Sequence, residues 1–148
     1  MYDTLSVDRL DILVLVDNVT DSLSSTPINV ITEWTGLITG GRMHIVSGGA
    51  ICCAHHGLSL LITAHLGQQK RTLLLDAGPE GATFRRNAGI LGVDFGAIDA
   101  VVLSHGHWDH AGGLLAAFDA IAGRRGKGEV PCYVHPGMFA QRATQRPT

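Results

Sequence analysis

Several things are scarce in this sequence, and each scarcity removes a class of function. There are three cysteines, Cys52, Cys53 and Cys132, two adjacent and one remote. With no Cys-x-x-Cys pair and no set of spaced thiols, neither a disulfide framework nor a thiolate metal site is expected. The thiols are expected to act as small core residues in a reducing compartment, and the cytoplasm is the expected location. Long hydrophobic runs are missing too. No basic segment followed by a sustained apolar one opens the chain, and the stretch 10–16 is interrupted by Asp11 and too short to cross a bilayer. Charge is sparse and balanced, with 11 basic and 13 acidic residues giving a net −2. The one basic cluster, Arg124-Arg125-Gly126-Lys127, reads as a solvated loop after a helix ending near Gly123. Neither nucleic acid nor membrane is therefore an expected partner. Internal repeats, low-complexity tracts and an obvious linker are also absent.

What is present describes a globular chain with a generous apolar share. It has 148 residues, 45% of them hydrophobic and 16% charged. At that length roughly two-thirds of the unfolded surface can be buried. The pattern alternates between strand and helix. Ile12-Leu13-Val14-Leu15-Val16 reads as a buried first strand ending at Asp17-Asn18, where polar side chains commonly line sites. Residues 20–27 form a polar loop, 28–31 a short strand, and 33–47 an irregular stretch broken by Gly36, Gly40 and Gly41. Residues 58–64 and 72–76 are expected to pair antiparallel through Gly67-Gln68-Gln69-Lys70. Apolar residues at Phe84, Ala88 and Leu91 carry helical spacing, with Gly92 as the stop. Residues 98–103 form a strand, 114–122 a helix, and Pro131-Cys132-Tyr133-Val134-His135 the next strand and its end.

The chemistry is concentrated at Ser104-His105-Gly106-His107-Trp108-Asp109-His110-Ala111-Gly112-Gly113, directly after Ala100-Val101-Val102-Leu103. If the chain stays extended past Leu103, His105 and His107 point the same way and converge on one ion. Asp109 and His110 lie where the chain turns, so they can aim at a second ion close to the first. Imidazole nitrogen with carboxylate oxygen suits zinc, with iron or manganese also compatible. Two such ions would share and deprotonate a water, which makes metal-bound hydroxide and hydrolysis the default chemistry. In that scheme Asp109 is the catalytic candidate among the ligands. Single histidines such as His44 and His65 are expected to be ordinary.

Residues 104–114 resemble the metal-binding loop of the metallo-β-lactamase fold superfamily, and Leu73-Leu74-Leu75-Asp76-Ala77-Gly78 resembles the strand-end motif that precedes it. More narrowly, Leu15-Val16-Asp17-Asn18, His56-Gly57-Leu58-Ser59-Leu60-Leu61-Ile62 and Phe84-Arg85-Arg86-Asn87-Ala88 resemble a branch that includes ribofuranosylaminobenzene phosphate synthase-like proteins of dihydropterin chemistry. The resemblance implies an α/β (α+β) fold, the first half of an αββα sandwich with a mixed sheet and flanking helices. It implies that His105 and His107 bind a first metal, that Asp109 and His110 bind a second, and that Asp76 orients the loop by bonding a ligand imidazole. Asp17, Asn18, His56 and His135 become pocket candidates. The branch usually has Glu-His-Gly where this chain has His55-His56-Gly57, which puts that carboxylate's contribution in doubt.

The superfamily's later ligands have no counterpart after His110, where the only histidine is His135. The expected domain is therefore a partial one over 1–148, a fragment or truncated product with open apolar surface and poor solubility. The missing half or a second copy would then be a partner. The expected function is a metal-dependent hydrolase, or related transferase, acting on a small ester, amide, thioester or phosphorylated substrate, with the fragment alone inactive. The alternative is a metal-binding protein without catalysis. A diiron oxygen- or nitric-oxide-reducing module is disfavoured, because it needs a carboxylate where His107 stands.

Overall fold

The computed structural model describes residues 6–21, 23–126 and 128–140. A five-stranded sheet in the order β1-β2-β3-β4-β5 organises the chain, with β1 at Arg9–Val16, β2 at Ser59–Leu66, β3 at Gln69–Leu75, β4 at Ala100–Leu103 and β5 at Cys132–Val134. The first three strands pair antiparallel. β3, β4 and β5 run parallel, with Leu74 opposite Val101 and Val101 opposite Cys132. Parallel pairs need crossovers. Here α2 (Gly81–Leu91) makes the first and α4 (Leu114–Arg125) the second, so the sheet is mixed with flanking helices as expected. Residues 98 and 99 precede β4 rather than belonging to it.

Sequence logic accounts for most of these elements. β2 and β3 are joined by a tighter turn than expected, with Leu66 opposite Gln69 and Gly67 at φ 56 between them. A positive φ at the first turn residue suits the twist of a two-residue hairpin. α2 buries Phe84, Asn87 and Ala88 on one face and ends at Gly92 in the left-handed conformation. α4 buries Ala116, Ala117 and Ile121 and continues to Arg125, so Arg124 and Arg125 occupy its last turn instead of a loop. Basic side chains there complement the helix dipole. Lys127 lies outside the described residues.

Four expectations need correction. The first strand exists, but only Leu15 and Val16 are buried; Leu10, Ile12, Leu13 and Val14 are exposed, because β1 is an edge strand. Residues 28–31 form a turn with no strand, and Ile28 and Ile31 face solvent. The irregular stretch contains α1 (Glu33–Thr39), whose N-cap Thr32 accepts from the Thr35 N–H and which stops at Gly40. An N-cap of this kind outweighs the cost of Gly36 in the interior. Finally, none of the three cysteines is a core residue: Cys52 and Cys53 are half-buried and Cys132 is exposed on β5.

The core lies on one side of the sheet. Leu15, Leu74, Ala77, Val101 and Ile98 pack against Phe84 of α2 and Ala116, Ala117 and Ile121 of α4. The opposite face is different. Cross-strand register aligns Ile12, Ile62, Leu73 and Ala100 in one row and Val14, Leu60, Leu75, Val102 and Tyr133 in the next. None of these side chains is fully buried, so among the described residues that apolar face has no covering layer. Among the same residues no helix is long and apolar enough to cross a membrane.

Candidate metal centre

Strand direction gathers the candidate residues at one end of the sheet. β1, β3, β4 and β5 all finish there, and β2 starts there. Asp17, Asp76, Ser104 and His135 therefore follow their strands at this edge, while His56-Gly57 enters β2 beside them.

Asp76 is the buried hub. It is fully inaccessible and adopts φ 56, and it is the one non-glycine residue with positive φ among the described residues. That conformation is uncommon outside glycine, asparagine and aspartate, and it swings the carboxylate beneath the loop after β4. Oδ1 accepts from the Ser104 N–H at 2.8 Å, and Oδ2 accepts from the Ser104 hydroxyl at 2.7 Å and from His110 Nδ1 at 2.7 Å. Its own carbonyl accepts from the Ser59 hydroxyl at 2.9 Å.

These bonds assign the histidine tautomers. A carboxylate only accepts, so His110 carries its proton on Nδ1 and presents the Nε2 lone pair outward. The single Ser104 hydroxyl proton goes to Asp76, so the Ser104 oxygen, 3.0 Å from His105 Nδ1, accepts from that nitrogen. His105 then offers Nε2. One buried carboxylate thus orients two imidazoles, directly and through a hydroxyl, as supporting residues do around metal-ligating histidines.

The loop itself divides into two conformations. The non-helical segment 104–107, a bend at Ser104 and extended backbone at His107, brings His105 Nε2 to 3.0 Å from His107 Nδ1, with the ring centroids 4.5 Å apart. His107 then caps α3 (Trp108–Ala111), a single turn that places Asp109 and His110 side by side. One donor atom from each of His105, His107 and Asp109 lies within 4.8 Å of the others. The His110 ring stands 4.2 Å from that of His105, and His110 Nε2 is 3.6 Å from Asp109 Oδ2. All four motif side chains are therefore gathered in one cluster that is partly open to solvent.

Glycine makes the close packing under α3 attainable. A Cβ at Gly112 would run into the Pro79 carbonyl, and one at Gly113 into that of Ala77. With those contacts open, Ala77 N–H donates to the His110 carbonyl at 2.8 Å and Gly113 N–H to the Gly78 carbonyl at 3.1 Å, fixing the motif onto the segment after β3.

The pocket candidates separate. His56 reaches the cluster: its Nε2 is 3.6 Å from Asp109 Oδ2 and its ring packs on Trp108 at 5.6 Å. Asp17 and Asn18 are exposed at the end of β1, where Asp17 Oδ1 accepts from the Asn18 N–H and the Asp17 carbonyl from the His55 N–H. His135 caps a short turn by accepting the Gly137 N–H on Nδ1. Among the described residues, Asp17, Asn18 and His135 make no hydrogen bond, ion pair or ring contact with the motif side chains. Two contributions escaped the sequence reading. Ser104 was visible as the first motif residue, but its bridging role depends on a partner 28 positions away. Asn87, buried on α2, donates Nδ2 to the carbonyls of Leu15 and Cys53 and accepts the Cys53 N–H. It ties the segment before His56 to the core.

A hub aspartate after one parallel strand and a His-x-His-x-Asp-His loop after the next define a class of metal-site folds, and comparison with known proteins gives that class its name. The sequence pattern of the metallo-beta-lactamase superfamily matches residues 54–137, more than half of the chain, and the chain belongs to that superfamily. Within it, the chain is similar to the 7,8-dihydropterin-6-methyl-4-(beta-D-ribofuranosyl)-aminobenzene-5'-phosphate synthase of Methanocaldococcus jannaschii, 33% identical over 86 residues, or 58% of this chain and 28% of that protein. This agrees with the branch its motifs resemble. An uncharacterized protein of the same organism is 41% identical over 61 residues, covering 41% of this chain and 22% of its own length. The chain thus spans about a quarter of these relatives. Among solved structures, a HARLDQ-motif metallo-beta-lactamase of Cronobacter sakazakii in mutant form is 34% identical over 42% of this chain and 24% of its own, with TM-score 0.33. A second structure with that motif gives 31%, 42% and 22%, with TM-score 0.32.

Proposed function

We propose that this chain carries the metal-binding part of a metal-dependent hydrolase, or of a related transferase, acting on a small ester, amide, thioester or phosphorylated substrate. The observation that carries this reading is the 3.0 Å approach of His105 Nε2 to His107 Nδ1 beside Asp109. Two nitrogens bound at 2.0–2.1 Å to one tetrahedral ion stand about 3.3 Å apart, so the pair is already close to chelating separation. The donor set is nitrogen and carboxylate oxygen without thiolate, which fits zinc and also iron or manganese. Two ions are proposed, with His105 and His107 at one and Asp109 and His110 at the other.

A divalent cation held there supplies Lewis acidity and a nucleophile near neutral pH. The chain's own residues do the rest. Asp76 and Ser104 hold the His110 and His105 lone pairs toward the site, and Asp109 stands where it can share charge between the two donor groups or accept a proton. The name of the similar Methanocaldococcus jannaschii protein favours a phosphorylated substrate and group transfer. A small molecule is the proposed substrate, nucleic acid is not a proposed partner, and the cytoplasm is the proposed location.

The short coverage of the relatives, 28% and 22% of their lengths, keeps a second reading, metal binding without turnover. Zinc titration by calorimetry followed by a hydrolysis panel separates the two. Micromolar or tighter zinc binding with turnover in a version extended to the relatives' length supports the enzyme. Binding without turnover in that version leaves the second reading, and no binding by the chain sinks both.

A further inference from the structure

We propose that Cys52 and Cys53 form a thiol–disulfide couple that closes when a low-molecular-weight disulfide oxidises it, and that closure releases the segment carrying His55 and His56 from α2. Adjacent side chains on extended backbone ordinarily point to opposite faces. Here both thiols come to one residue. Cys52 Sγ lies 3.9 Å from the Asn87 carbonyl oxygen, and Cys53 Sγ lies 3.6 Å from Asn87 Oδ1. Neither cysteine is sealed in the core, since both are half-buried.

The oxidation balances as two thiol–disulfide exchanges. One thiolate of the pair attacks the oxidant, forming a mixed disulfide and expelling half of the oxidant as a thiolate. The second thiol then attacks the protein sulfur of that mixed disulfide, forming the Cys52–Cys53 bond and expelling the other half. The protein loses two hydrogens and the oxidant becomes two thiols. Burial and the neighbouring Glu33 carboxylate push Cys52 up to about 12, so the first attack falls to Cys53 and Cys52 closes the ring. Glu33, which also accepts the Cys52 N–H, is placed to take the Cys52 thiol proton in that second step. Consecutive α-carbons stand about 3.8 Å apart, less than the roughly 4.4–6.8 Å that a disulfide usually spans. The ring is therefore strained and easily reduced, as labile and regulatory disulfides are. Its strain falls on the bonds that fix this backbone, Cys53 N–H to Asn87 Oδ1 at 3.0 Å and Asn87 Nδ2 to the Cys53 carbonyl at 3.0 Å. Those bonds tie the chain to α2 just before His56, whose ring packs on Trp108 and approaches Asp109.

The test treats the fully reduced 148-residue chain with an excess of oxidised glutathione. Tryptic cleavage after Arg42 and Lys70 isolates one peptide that holds both thiols and leaves Cys132 in another. By mass spectrometry that peptide is expected to be lighter by two hydrogens, with no glutathione attached, and dithiothreitol should restore it. In Glu33→Gln the mixed disulfide should accumulate, with closure slowed by at least about 10-fold. The N–H groups of His55 and Leu58 donate to the Asp17 and Asp109 carbonyls. Their hydrogen exchange should quicken by at least about 10-fold on oxidation and recover on reduction, while that of β4 stays unchanged. A peptide that keeps glutathione, links to a second chain or stays reduced overturns the inference. So does a closed ring with unchanged exchange at His55 and Leu58, or with β4 accelerated equally. Unslowed closure in Glu33→Gln overturns the part given to Glu33.

Discussion

At the scale of single residues, Asp76 carries more of the site than any one histidine. Its carboxylate is buried and accepts three hydrogen bonds, so substitution removes the acceptor that Ser104 and His110 share. Asp76→Asn keeps the volume and tolerates the left-handed backbone, but its amide N–H would face the Ser104 hydroxyl and His110 Nδ1–H. His110 must then give up its outward lone pair. The expected outcome is a zinc affinity lower by about 10- to 100-fold and a stability loss of about 1–3 kcal/mol, read by calorimetry and by urea unfolding. Cys52 is informative for a different reason. Burial first, and then the neighbouring Glu33 carboxylate, push its thiol up from the usual 9.0 to about 12. A proton held more tightly in the folded than the unfolded state stabilises the fold fully below pH 9, and that contribution is lost as pH rises toward 12. Urea midpoints should therefore fall between pH 9 and 12, and Cys52→Ala should flatten that alkaline decline.

At the scale of elements, the decisive contacts are those between segments that are distant in sequence. The turn from α3 to α4 lies against backbone carbonyls of the segment after β3, and only hydrogen fits on the α-carbons of Gly112 and Gly113. Gly112→Ala or Gly113→Ala forces that turn outward, with an expected cost at or above the upper end of overpacking losses, about 3 kcal/mol. The same movement separates His110 from Asp76, so thermal unfolding and zinc affinity should deteriorate together. Asn87 plays the corresponding part for the segment leading to His56. Asn87→Leu removes three hydrogen bonds, and a loss of about 2–4 kcal/mol in urea unfolding is expected from the buried carbonyls and N–H left unpaired. Elements with strong local signals were legible: the β2–β3 hairpin from its glycine turn, α2 from the Phe84 and Ala88 spacing, β4 from its branched run. α1 was obscured because three glycines mask a helix defined by its Thr32 cap, and residues 28–31 look like a strand but have no neighbour to pair with.

At the scale of the whole molecule, the described residues cover one face of the sheet only. The rows Ile12, Ile62, Leu73 and Val14, Leu60, Leu75, Val102 form a broad apolar surface with no charged side chain in either. Surfaces of this kind mark contact with another layer or a liability to association. The chain should bind the dye ANS in its native state and sediment as larger species with increasing concentration. Replacing Ile12 and Val14 by threonine keeps strand propensity and should reduce both effects without lowering the urea midpoint appreciably. Unchanged dye binding would show that this face is covered in solution.

The sequence alone determined the kind of chemistry and its address. Imidazole and carboxylate donors at fixed short spacing after a buried strand have their relative positions set by local backbone geometry, so His105, His107, Asp109 and His110 could be named without coordinates. Tertiary structure decided what local geometry does not reach. Asp76 and Ser104 are 28 residues apart, and only the parallel pairing of β3 with β4 puts the carboxylate under the loop. Likewise His56 meets Asp109 because β2 begins at the sheet edge where β4 ends. Such contacts depend on strand order and direction, which the spacing of residues along the chain does not encode.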